Sequence, residues 1–377
     1  ESRYAAEDGA DLVAVAYEPL PAAADCRDAI APGAPLAHSD SADNMAARFS
    51  VAFGDAENAF NRAPYAFRES LWQHRGCGHA MEGRAVLALH DPTQDLLTVW
   101  SATQSPHFIK RMLVDVLGRD ENQFRVIAPD VGGGFGPKGM FYAEEAVIPA
   151  CAMLLGRPVK WTEDRREHFL CATQERDQYW EMEIAVDRQG RILGLRGSMT
   201  HDTGAYLPWG IIMPYIAATT LPGPYVLPAF RVDVTVALTN KTPTTPVRGA
   251  GRPQAVFAME RLMDRVAREL DLDPAEVRRR NLIRPEQMPY KVGLIARDGS
   301  SVTYDSGDYP ACQAKVLELA GYEGFLDRQA EARKRGRYVG IGLANYVEGT
   351  GLGPFEGATI RAAPSGRIFL YTGAAPH

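Results

Sequence analysis

The sequence has little with which to build a covalent or locally ligated framework. Its five cysteines, Cys26, Cys77, Cys151, Cys171 and Cys312, are odd in number and widely scattered, with no C-x-x-C pair. This excludes a disulfide scaffold of the secreted type and argues against an iron–sulfur site or zinc ribbon built by local spacing. Reduced thiols in the cytoplasm are the expected state. The eight histidines form neither an H-x-x-x-H nor an HExxH pair, so a metal is expected to be held by something other than a local protein motif. No apolar run approaches the roughly 18 residues of a membrane span. Positive charge is not in excess: 41 Lys and Arg stand against 47 Asp and Glu, a net charge of −6. Nucleic acid is therefore not expected as a partner. No internal repeat or low-complexity tract is visible.

What remains is an ordinary globular composition in 377 residues, 46% hydrophobic and 23% charged, enough for two or three domains. A helix-like opening leads into an alternating stretch (Leu12, Val13, Val15, Tyr17) that predicts a strand. Residues 21–65, rich in Ala, Pro, Asp and Asn, read as a long surface connection. "GRAVLALHD" and "LLTVWSAT" predict strands joined by "DPTQD". Ser105, Pro106 and Gly118 mark the start and stop of a helix. "QFRVIAPD" predicts a strand, "MFYAEEAVIPACAMLLG" a helix kinked or broken near Pro149, and "RPVKWTED" a further strand. "DRQG" is the turn of a hairpin, and "FRVDVTVALTN" is a strand within an otherwise loop-like stretch, 203–250.

Met259, Leu262, Met263, Val266, Ala267 and Leu270 recur at helical spacing and predict one buried face. Asp273 and Pro274 open a second helix. Residues 283–311 read as loop, "DRQAEARKRGR" as a basic helix, and "YVGIGLANYVEG" and "RIFLYTG" as final strands. The class is α+β, with mixed sheets and helices.

The stretch "RVIAPDVGGGFGPKGMFYAEEAV" is the most informative. It contains a formal G-x-G-x-x-G (Gly134, Gly136, Gly139) between a strand and a helix, with Glu163 and Asp164 ending the next strand. That pattern suits a nicotinamide or flavin dehydrogenase. Against it, Pro137 falls where helix N–H donors are needed, and a hairpin follows instead of further βα units. A tight structural turn is the plain alternative. Consecutive N–H groups without Cβ atoms can also form an anion-binding nest. From the residues alone the loop is a backbone-lined anion site.

"APDVGGGFGPK" followed by "EEAVIPACAMLLGRPVKWTEDRREHF" resembles the molybdopterin-binding large subunit of the xanthine dehydrogenase, aldehyde oxidase and aerobic CO dehydrogenase family. "LVAVAYEPLPA", "MEGRAV", "SATQSPH", "DTGAY" and "TPVRGAGRPQAVFAMERLMDRVARELDLDPAEVRRRNL" agree with it in order, over nearly the whole chain. The resemblance implies that residues 1–50 end an α/β hammerhead domain and its linker. Residues 51–310 would form the first molybdopterin-binding domain, and 311–377 an incomplete start of the second. It implies that Gly133, Gly134 and Phe135 contact the cofactor, joined by Arg248, Gly249 and Ala250 of the R-G-x-G loop.

It further implies hydroxylation of an aldehyde or N-heteroaromatic carbon with water-derived oxygen. The cofactor would be Mo-molybdopterin, in the cytosine dinucleotide form. Electrons would leave through 2Fe-2S and FAD subunits in a dimer of heteromers. No catalytic residue is expected in this chain: the family's Gly-Gln-Gly segment and base Glu would lie beyond residue 377, in a remaining part of the subunit. Such a chain could instead be a non-catalytic structural subunit.

Where xanthine-type members carry Glu, Arg and Phe, this sequence has Gly139, Ile216 and Ala250. A purine is therefore not the expected substrate, and these three positions are the candidate pocket. CO is not expected either, since "VRGAGR" lacks the cysteine of CO dehydrogenases. A family Gln position falls on Gly76. Of the remaining polar residues, Glu144 and Glu145 cannot face one another on a helix and read as structural. Cys77, His79 and His107 also read as structural, "EDRREH" as a solvated turn, and "RRRNL" as a helix surface.

Overall fold

The computed structural model describes residues 2–349 and 357–372. Helix α1 (Arg3–Asp11) is capped by Ser2. The strand expected at 12–17 is not formed among the described residues. Leu12, Val13, Val15 and Tyr17 are all exposed, so their alternation faces no core. Residues 21–65 are more than a connection. They hold α2 (Cys26–Ala29), β1 (Met45–Phe53) and α3 (Ala56–Arg62), and β2 (Tyr65–Gln73) begins at their end. A domain boundary at residue 50 would cut β1.

Strands β3 (Ala85–Asp91) and β4 (Leu96–Ser101) form the expected hairpin. Helix α4 (Pro106–Leu117) has Pro106 in its first turn and stops at left-handed Gly118. After β5 (Phe124–Ile127) and the glycine loop comes α5 (Ala143–Leu155), unbroken through Pro149. Packing of its apolar face against β3 and β4 holds it across the position that lacks an N–H. β6 (Val159–Thr162) follows. The expected turn "EDRREH" is instead a short helix, α6 (Arg165–Cys171), with Asp164 accepting from Glu167 N–H.

The hairpin of β7 (Gln178–Val186) and β8 (Ile192–Gly204) turns at Asp187, whose carboxylate accepts from Gln189 and Arg191 N–H. Helix α7 (Ile212–Thr220), absent from the sequence reading, precedes β9 (Phe230–Leu238). Then come α8 (Arg252–Glu269) and α9 (Pro274–Asn281). The expected loop 283–311 contains paired strands β10 (Tyr290–Ile295) and β11 (Ser301–Tyr304). Helices α10 (Tyr309–Ala320) and α11 (Phe325–Lys334) follow. The strand expected at 338–349 is not formed among the described residues. The chain then forms the exposed hairpin β12 (Ala358–Ala362) and β13 (Ile368–Thr372).

Two sheets organise the molecule. One has the order β1-β9-β8-β7-β2, the other β5-β4-β3-β6. Trp180, Met182, Ile184 and Val186 alternate on the inner face of the first. Met259, Leu262, Met263, Val266 and Ala267 of α8 pack there as their spacing requires, while Leu270 is only partly buried. The second sheet carries its own core with α4 and α5, through Ile109, Leu113 and Ala152. Among the described residues no helix is long and apolar enough to cross a membrane.

Candidate functional site

The glycine loop does not open a helix. A single 3-10 turn, Pro137–Gly139, lies between it and α5, and β5 and β6 are separated in the sheet by β4 and β3. Gly134, Gly136 and Gly139 therefore lack the helix N-terminus that a dinucleotide pyrophosphate needs. This corrects the dehydrogenase reading on geometric grounds.

The loop is held at both flanks. Gly132 N–H donates to Glu82 Oε2 at 2.8 Å, and the same oxygen pairs with buried Lys138 Nζ at 2.6 Å. Gly136 N–H donates to Gln104 Oε1 at 2.8 Å, while Gln104 N–H returns a bond to Lys138 O at 2.9 Å. Between these pins, the N–H groups of Gly133, Gly134 and Phe135 meet no protein acceptor among the described residues. Phe135 sits at φ 58°, a left-handed value uncommon outside glycine.

The R-G-x-G loop lies directly against it. Arg248 N–H donates to Phe135 O at 2.9 Å, and the Arg248 guanidinium lies 5.3 Å from the centre of the Phe135 ring. A side chain on Gly136 would overlap the Pro246 carbonyl. Gly249, Ala250 and Gly251 run at φ 100°, 48° and 95°, so Ala250 repeats the strain seen at Phe135. Ile216 of α7 is buried beside Gly251, which brings it to this loop; Gly139 stays on the first loop, facing Ser105. One turn into α8, the Gln254 side chain is fully buried with neither amide atom hydrogen-bonded. The two loops thus lie together as one glycine-rich backbone surface, with the Gln104 side chain against Gly134 and the Phe135 ring against Gly133, and consecutive N–H groups in such a loop suit an anion.

Glu144 and Glu145 are structural, as their spacing implies. Glu144 pairs with Arg84 at 2.7 Å. Glu145 accepts from Ser101 Oγ at 2.6 Å and Tyr142 N–H at 2.9 Å, and burial pushes its carboxyl up to about 7. His107 is exposed in the first turn of α4. Cys77 is half-buried, donates to Thr173 O, and burial pushes its thiol up to about 11. Gly76 pairs with Glu175 through its backbone. "RRRNL" is not simply a surface: Arg278 is fully buried, bound to Glu260 and Asp264. "EDRREH" likewise holds buried Glu163 and His168. Glu82, Gln104 and Lys138, which position the loop, were missed as such, although all three of their segments carried the family resemblance.

Comparison with known proteins shows the family. Residues 37–282 match the family described as the molybdopterin cofactor-binding domain. The chain is 36% identical over 372 residues to the 6-hydroxypseudooxynicotine dehydrogenase complex subunit gamma of Paenarthrobacter nicotinovorans, covering 98% of this chain and 46% of that protein. It is 38% identical over 355 residues to the nicotine 6-hydroxylase large subunit of the same organism, covering 93% and 42%. The crystal structure of quinoline 2-oxidoreductase from Pseudomonas putida superposes with a TM-score of 0.91 at 36% identity, over 100% of this chain and 49% of that one. The chain spans about half the length of these relatives.

Proposed function

The chain belongs to the molybdopterin-binding large subunits of the xanthine dehydrogenase, aldehyde oxidase and CO dehydrogenase family, and from that premise we propose that it forms one wall of the cofactor site of a molybdenum hydroxylase. The three successive unpaired N–H groups of Gly133, Gly134 and Phe135 carry the proposal. Gly134 is buried and Gly133 and Phe135 are half-buried, and N–H groups withdrawn from water are rarely left without an acceptor. The electron-rich oxygens and sulfurs of molybdopterin supply acceptors of the right sign, so these residues fit the group. Gly133, Gly134 and Phe135 would hold it from one side, and Arg248, Gly249 and Ala250 from the other. When bound, the cofactor supplies two-electron redox chemistry that inserts water-derived oxygen into an electrophilic carbon.

The chain's own contribution is fixed positioning. Glu82 and Gln104 pin the loop on either side of the free donors, so little reorganises when an anion arrives. No base is assigned within the chain. That role, with the rest of the cofactor cradle, is assigned to the remaining part of the subunit. Gly139, Ile216 and Ala250 offer neither charge nor a hydrogen-bonding side chain, which favours a weakly polar substrate. The relatives are named for nicotine, a pseudooxynicotine and quinoline. We therefore favour an N-heteroaromatic carbon over an aldehyde. The cytosine dinucleotide form, 2Fe-2S and FAD partner subunits, a dimer of heteromers and a cytoplasmic setting belong to the same proposal. So does the division into hammerhead end, first and second molybdopterin-binding domains.

The test is molybdenum content of the intact complex, wild type beside Gly134→Leu and Arg248→Ala. Stoichiometric molybdenum in the wild type, lost in Gly134→Leu and reduced in Arg248→Ala with both complexes still assembled, is the expected result. An intact complex without molybdenum would instead mark a structural subunit. Full molybdenum in Gly134→Leu would overturn the loop assignment.

A further inference from the structure

A second constellation lies beside the glycine loop and is not used by it. The segment Cys77-Gly78-His79 runs under the loop. A Cβ on Gly78 would touch the Phe135 side chain, and Ala80 lies against Gly133. Helix α6 brings His168 to the same place, with its ring centre 5.2 Å from that of His79. A ligand atom from each of Cys77, His79 and His168 lies within 4.8 Å of the others.

His168 is the unusual member. It is 2% exposed, and its Nδ1 faces Glu163 Oε2 at 2.9 Å. Glu163 is itself held by Arg84 through bonds of 2.6 and 2.9 Å. That carboxylate sets the Nδ1–H tautomer and leaves the Nε2 lone pair as an acceptor. Nε2 is buried and has no hydrogen-bond partner. Ring packing against His79 and Phe169 accounts for the position of the imidazole but not for this bare nitrogen.

We propose that Cys77 Sγ, His79 and His168 Nε2 form a three-ligand site for a zinc-class divalent cation, with Glu163 orienting His168. A carboxylate on the far nitrogen of a ligating histidine is the usual outer partner in such sites, raising its basicity and fixing its ring. A tetrahedral zinc ion sets S and N ligands roughly 3.3–3.6 Å apart, so small side-chain rotations close the cluster. His79 is exposed and gives the entry path and room for a water in the fourth position. Binding displaces the Cys77 thiol proton, now donated to Thr173 O, to solvent.

The test uses the intact complex after chelator dialysis, titrated with Zn2+ alone by calorimetry and then with Co2+ by absorption. The wild type should take up stoichiometric Zn2+ and, with Co2+, show a thiolate-to-metal charge-transfer band. Cys77→Ser should lose the band and the tight uptake. His79→Ala, read beside its melting temperature because His79 packs on His168 and Phe169, should bind Zn2+ at least ~10-fold more weakly. Cys312→Ser, an exposed cysteine on α10, should behave as wild type. No Zn2+ uptake by the wild type, uptake unchanged in His79→Ala, or equal loss in Cys312→Ser would each overturn the site. None of these readings depends on molybdenum, so this proposal and the cofactor assignment fail separately.

Discussion

Two arginines are buried among the described residues, Arg84 and Arg278, and their surroundings end differently. Arg278 of α9 gives Nε to Glu260 at 2.6 Å, Nη2 to Asp264 at 2.8 Å, and further bonds to the carbonyls of Pro274 and Glu260. Glu260 is completed by the Tyr225 hydroxyl at 2.5 Å. The acceptors of Arg278 all lie on α8 and α9, and the network runs on through the Tyr225 hydroxyl to Asn345 and Gln313, which returns a bond to Ala275 O of α9. Arg84 is similarly buried, paired with Glu163 and Glu144 and stacked 3.6 Å from the Tyr142 ring centre. Its network continues through Glu163 to His168 and stops at a nitrogen without a partner. Desolvating a guanidinium costs similar free energy in both places. A closed network uses it to lock a core; an open one uses it to hold a side chain in place beside the two glycine loops.

The sharpest way to break this comparison is at α9 itself. Arg278→Met should cost about 3–5 kcal/mol, because Glu260 is left buried without its cation. Its neighbour Arg279 pairs with Glu276 at an exposed position, and Arg279→Ala should cost under ~0.5 kcal/mol. Denaturant midpoints of the two variants check this. Similar losses would mean that closure of the network does not matter.

The Arg84 side is sharpened by pH. Glu145, next to Glu144 on α5, has its carboxyl raised by burial from 4.5 to about 7. The folded state therefore binds a proton that the unfolded state releases between those values. The stabilisation is complete below pH 4.5 and is lost as pH rises through 7, on the order of 3 kcal/mol. Glu145→Gln keeps an acceptor for Tyr142 N–H and removes the titration. The melting temperature of the wild type should thus fall relative to that variant across the window. A constant difference would show that Glu145 is not held protonated. The smallest effect belongs to the strained loop: Ala250→Gly relieves φ 48° and should stabilise by up to ~1 kcal/mol. A loss instead would mean that the Ala250 methyl is packed.

Where the sequence was legible, local physics and burial agreed. The α8 face follows from one apolar stripe, α9 from Asp273 and Pro274, and the β7–β8 turn from Asp187 and Gly190. The two loops were legible as ordered motifs. β1 and β2 were not, because each is an edge strand with only one residue fully buried, so its alternation is between half-buried and exposed positions. β10 and β11 are short and are stabilised by pairing with each other and by burial of Val292 and Leu294 in the main core, neither of which the local sequence shows. The expected strand at 12–17 failed for the opposite reason: its pattern was present and its core was not.

By itself, then, the sequence determined the α+β class, the family and the two glycine loops. These rest on local backbone preferences and on motifs read in order. Only the tertiary structure decided that Arg248 closes on Phe135, that Arg278 is buried while Arg279 is not, and that His168 comes to lie beside Cys77 and His79. Those facts depend on which faces a fold places together across long stretches of chain, and the free energy of a buried charge or an unpaired nitrogen exists only once that packing has removed water from it.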